Sequence, residues 1–94
     1  MTEMLTKKEI RRIEDEIRRV LVNVWDPIGI KDVTNAQDEY DAYIGGVFQI
    51  LNRDGSEEEL GAYLWKVIEE KIHVHPAKGA TQEAVKALRC IRFR

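Results

Sequence analysis

The chain has 94 residues, 44% hydrophobic and 34% charged, which predicts one globular domain and argues against disorder. No apolar run approaches the roughly 18 residues of a membrane span, and the stretch from Met1 to Arg12 holds no apolar leader core. A lone cysteine, Cys90, excludes an internal disulfide and fits a reducing compartment, so a cytoplasmic protein with no membrane partner is expected.

The formal net charge of −2 hides a segregation. From Asp26 to Glu59 nine acids face two bases, a balance of −7, whereas the last nine residues carry Lys86, Arg89, Arg92 and Arg94 and no acid. An acidic middle is either a solvated, dipole-matched surface or a patch for a basic partner.

Thr6 and Glu9 form a capping box that opens the first predicted helix. Ile10, Ile13, Ile17, Val20, Leu21, Val24 and Trp25 recur at helical spacing on one stripe. On its outer face Glu14 with Arg18 and Asp15 with Arg19 are spaced as i,i+4 ion pairs. The segment Trp25-Asp26-Pro27-Ile28-Gly29 reads as a packed tryptophan followed by a stop. Proline cannot continue the helix, Asp-Pro-Ile-Gly suits a type I turn, and Asp26 can accept a backbone N–H two residues on.

A second helix is predicted after a Thr34–Gln37 capping box, with Tyr40, Tyr43, Ile44, Val47, Phe48 and Leu51 inward and Asp38, Glu39 and Asp41 near its positive end. Gly45-Gly46 inside it implies a close helix–helix approach or a kink, since each glycine costs about 1 kcal/mol relative to alanine. Gly55 is expected as the left-handed residue past its end. Ser56 and Glu59 cap a third helix, whose Leu60, Tyr63, Leu64, Trp65, Val67, Ile68 and Ile72 cover over half its circumference, as befits the most buried helix. Residues 73–79 form a loop broken by Pro76. Thr81 then caps a fourth helix with Ala84, Val85, Leu88 and Ile91 inward. The fold class is all-α, a compact four-helix domain.

The candidate chemistry is sparse. Asp38-Glu39-x-Asp41 has carboxylates for a metal, but three acids within one helical turn splay apart and no calcium-loop pattern accompanies them. His73-x-His75 in extended chain would point both rings to one side, yet zinc needs two further ligands. Cys90 sits at the edge of an apolar stripe, as a small packed residue would. No phosphate loop, GxSxG or HExxH is present, so neither a metal nor a cofactor is expected. The basic face of the first helix has acids interleaved, and a pI near 5.7 gives little of the positive potential that phosphate binding needs.

Two motifs, "WDPIG" and "DEYDAYI", together resemble a widespread group of short bacterial proteins in which a helix ending in Trp-Asp-Pro precedes an acidic, tyrosine-bearing helix and then a helix rich in "EE…YLWxIE". The resemblance runs from about Val20 to Ile72 and implies a bacterial origin and a small helical fold. Locally, "SEEEL" from Ser56 to Leu60, Glu69-Glu70 and His75-Pro76 are similar to the acidic helix of the immunity proteins that block nuclease colicins. The paired tyrosines of that family have no counterpart after Pro76. The reading is a non-catalytic protein-binding module of immunity or antitoxin type. Its binding residues would be Asp38, Glu39, Tyr40, Asp41 and Tyr43, with tyrosine hot spots among acids facing a basic protein. The alternatives are a small metal-dependent or hydrolytic enzyme using the same acids, and a nucleic-acid-associated regulator.

Overall fold

The computed structural model describes residues 5–30, 33 and 39–93; the Thr34–Gln37 box, Asp38 and Arg94 lie outside them. Among the described residues there are four helices and no strand, an all-α four-helix domain. Helix α1 spans Lys7–Val20 and runs on through one wider turn, Leu21–Trp25. Helix α2 spans Asp41–Asn52, α3 Glu57–Val67 with a similar wide turn at Ile68–Ile72, and α4 Ala80–Arg89. Each helix packs on the next, and α4 closes the ring against α1 and its last turn.

The capping box of α1 forms in full. The Thr6 hydroxyl accepts the Glu9 N–H at 3.1 Å, and the Glu9 carboxylate accepts the Thr6 N–H at 2.8 Å. Ser56 caps α3 in the same way at 3.1 Å, but the Glu59 carboxylate turns to Arg53 instead of closing the box. Thr81 does not cap α4. Gly79, left-handed at φ 81°, takes that place, and the Thr81 hydroxyl accepts the indole N–H of Trp25 at 3.2 Å.

The helix ends share one device. Asp26 (φ 32°) and His73 (φ 60°) are left-handed, and each N–H returns to a carbonyl five residues back, Leu21 at 2.9 Å and Ile68 at 2.6 Å. At the end of α2 the left-handed residue is Asp54 (φ 57°), not Gly55. Gly55 is the following residue, donating to the Ile50 carbonyl at 2.7 Å in a Schellman closure. It is glycine for space: a Cβ there would lie 2.9 Å from that same carbonyl oxygen.

The core runs through Ile13, Ile17 and Leu21 of α1, Ile44 and Val47 of α2, Leu60 and Leu64 of α3 and Ala84 and Leu88 of α4. Trp25, at 1% exposure, lies among them. The two adjacent glycines of α2 differ in purpose. Gly46 lets the Tyr63 ring of α3 lie against the helix backbone, where any Cβ would overlap its hydroxyl end, while a Cβ on Gly45 would meet nothing within 4 Å. The ion pairs also differ from the i,i+4 reading. Arg18 bonds Asp15 at 2.8 Å and crosses to Asp41 of α2 with two bonds, at 2.8 and 3.2 Å; Arg12, not Arg19, makes an i,i+4 pair, with Glu16 at 2.6 Å.

Candidate functional site

The structure disperses the residues expected to form one acidic site. Tyr40 has 0% exposure and belongs to the core, so it offers no surface to a partner. Its ring packs on Trp25 at 5.6 Å and 57°. Its hydroxyl donates to Asp26 Oδ1 at 2.8 Å, and the hydroxyl oxygen accepts the Ile28 N–H at 2.9 Å. Asp26 Oδ1 also takes the Ile30 N–H at 2.7 Å, four residues on where the turn chemistry had suggested two. Burial pushes the Tyr40 hydroxyl far above the ordinary tyrosine range; the Ile28 N–H opposes this, and the Asp26 carboxylate adds to it. Trp25-Asp26-Pro27 is therefore a lock between the end of α1 and the start of α2. The Gly29 N–H closes its turn on the Asp26 carbonyl at 3.3 Å.

Asp41 is engaged by Arg18, and that hydrogen bond leads the effects that raise the guanidinium pKa further. Glu39 is exposed just before α2, and Asp38 falls outside the described residues. Tyr43 is half-buried beside Tyr63, in a shallow groove between α2 and α3 that Lys66, Glu70 and Lys71 also line. The Tyr63 hydroxyl reaches the Tyr43 carbonyl at 3.4 Å, and burial raises its pKa. Among the described residues no group of three His, Cys, Asp or Glu side chains could hold a metal ion. His73 is left-handed, so it and His75 are not the extended pair imagined from their spacing. Cys90 is exposed at the end of α4 rather than packed.

A different site emerges on the other side of α3. Trp65, placed in the core by its spacing, is 54% exposed. The inward arc of α3 is held by Leu60, Leu64, Val67 and Ile68, and Trp65 projects to one side of it. His75 packs on the indole at 5.1 Å and 45°, with Nε2 3.8 Å from the Glu69 carboxylate, beyond hydrogen-bond reach. Beside this pair a groove of about 510 Å³ runs between α3 and the start of α4. Gly61, Trp65, Pro76, Ala77 and Val85 supply apolar walls; Glu57 and Glu58 lie on the α3 side, and Lys78 and Lys86 on the other. The surplus of apolar residues around α3, more than one inward face can use, is the signal that would have found it.

Compared with protein-family models, curated proteins and solved structures, the chain shows no match. Among the described residues no helix is long and apolar enough to cross a membrane.

Proposed function

We propose that the protein is a non-catalytic protein-binding module that meets a basic partner through the acidic outer face of α3, with Trp65 as its anchor. The observation that carries this reading is the half-exposed Trp65 standing between Glu58 and Glu69 on one stripe of the helix. A large aromatic kept in water at a cost is the residue type that interfaces use as a hot spot. The surrounding carboxylates, Glu57, Glu58 and Glu69, are exposed and would steer a cationic surface toward it. Tyr43, in the groove on the other side of α3, and Glu39, before α2, then lie outside this interface. An immunity or antitoxin role, an acidic helical protein capping a basic nuclease, is the narrower form of this reading. It is supported by the "SEEEL" segment, whose Glu57 and Glu58 are exposed at the first turn of α3.

The test is binding kinetics against a partner recovered by cross-linking, at low and high salt. Trp65→Ala should weaken affinity by about 30-fold or more, the mark of a hot spot. Reversing Glu58 and Glu69 to Lys should slow association and flatten its salt dependence with little change in dissociation. Unchanged kinetics in both variants would move the surface elsewhere, to the basic outer face of α1 first.

One observation favours a second reading: His75 lines the groove together with Glu57 and Glu58, a candidate base with acids near it. A hydrolytic protein would turn over a panel of simple esters and phosphate esters and lose that activity in His75→Ala. The mainly apolar walls fit an anchor side chain better than a reacting polar group.

A further inference from the structure

The groove beside Trp65 has a character that the general binding role does not require. One side is α3, the other is α4 with residues 75–79 leading into it, and the edges differ in sign: Glu57 and Glu58 along α3, Lys78 and Lys86 along α4 and the loop before it. Gly61 sits on the groove side of α3, and a Cβ added there would meet nothing within 4 Å. Among the described residues no neighbour requires that glycine, in contrast to Gly46 under Tyr63. A glycine inside a helix weakens it, and its missing side chain leaves room for something to approach closely.

We propose that this groove docks one amphipathic helix of a partner protein, with its apolar stripe over Gly61 and Trp65, a basic edge over Glu57 and Glu58, and an acidic edge over Lys78 and Lys86. The proposal rests on the protein-binding reading and names the segment that would be bound. Two helices side by side present ridges that receive a third helix, read as apolar anchors at i, i+3 or i+4, and i+7. An added strand would need an unpaired sheet edge, and the described residues contain no sheet. Rails of opposite sign on the two edges fix the direction of the incoming helix, as charged flanking positions do in coiled coils.

The experiment is selection from a random displayed peptide library on the whole protein, with counter-selection on Gly61→Leu. The Cβ of that substitution would meet nothing within 4 Å, and leucine favours helix over glycine, so an unchanged Tm with lost binding reports the filled groove. Surviving peptides should show the helical anchor period with Lys or Arg on one flank and Asp or Glu on the other, and should become helical on binding. Trp65→Ala should weaken them at least tenfold. Glu58→Lys should do the same, and a peptide with its facing basic residue changed to Glu should recover most of the loss on that variant. Proline-rich survivors, or a library from which counter-selection on Gly61→Leu leaves no binder, would overturn the helix proposal. If the cross-linked partner is lost in Trp65→Ala but selected helical peptides do not compete with it, the binding role stands and this inference falls. If the partner is indifferent to Trp65→Ala, the binding surface lies elsewhere, and both the Trp65 anchor and this inference fall.

Discussion

Tyr40→Phe isolates one oxygen atom in the lock between α1 and α2. Phenylalanine keeps the ring, its burial and its 5.6 Å contact with Trp25. What disappears is the donor to Asp26 Oδ1 at 2.8 Å and the acceptor for the Ile28 N–H at 2.9 Å. A hydrogen bond to a charged group contributes about 1.5–3 kcal/mol, and a buried N–H left without a partner costs about 1–3 kcal/mol. Ile28 is an exposed residue in a turn, so water can take over part of the second term. The expected loss is about 2–4 kcal/mol, or a fall in Tm on the order of 10–20 °C for a domain of this size. Urea denaturation followed by circular dichroism measures it, with the slope m unchanged. A loss under about 0.5 kcal/mol would mean that the Asp26–Tyr40 bond does not hold the two segments together. The pH dependence has a defined sign. The native state keeps the Tyr40 proton after the unfolded chain begins to release its own near pH 10, so stability should fall as pH rises past about 10. Tyr40→Phe should remove part of that slope, and Tyr63, raised by burial, should retain some of it.

Trp25→Ala should cost about 3–5 kcal/mol by denaturant titration, as expected for truncating a fully buried large aromatic, and would also leave the Thr81 hydroxyl without its indole donor. Gly46→Ala should destabilise the native protein, because its methyl group displaces Tyr63; in a Tyr63→Ala background the same change should stabilise by about 1 kcal/mol, and a double-mutant cycle without that reversal would refute the packing account. Gly61→Ala, with open space for its Cβ, should raise stability by about 0.5–1 kcal/mol in thermal unfolding.

What could be read from the sequence was the part governed by local rules. The stripe through Ile13, Ile17, Leu21 and Trp25 follows from helical periodicity, and the Thr6 and Ser56 caps from short-range hydrogen bonding. Several misreadings share a cause: side chains with two plausible partners chose the distant one. Thr81 can cap a helix or accept an indole N–H from a residue 56 positions away, and the fold brings that indole to it. Arg18 could have paired with Glu14, but Asp41 arrives from α2 and binds it with two bonds. Asp54 rather than Gly55 became left-handed because Gly55 is needed where a Cβ cannot fit, and aspartate tolerates the left-handed region better than most residues. Tyr40, expected both on the apolar stripe and among the binding residues, serves only the first, held inside by Trp25 and by a carboxylate from the end of another helix.

The two tryptophans show how the same local signal leads to opposite places. Both stand on apolar stripes, but the residue one turn earlier is Leu21 for Trp25 and Gly61 for Trp65. At the end of α1, Trp25 meets Tyr40, Thr81 and the turn at Asp26, which close around it. In α3 the apolar arc is wider than the core can cover, and Leu60, Leu64, Val67 and Ile68 already fill the inward face. The surplus must reach the surface, and it does so as a single large ring beside a glycine. Hydrophobic stripes on helices are usually taken as core positions, yet the width of a stripe carries as much information as its period. A helix whose apolar arc exceeds its contact with its own domain has a second face to bury, and here that face lies between carboxylates and lysines that can select what covers it.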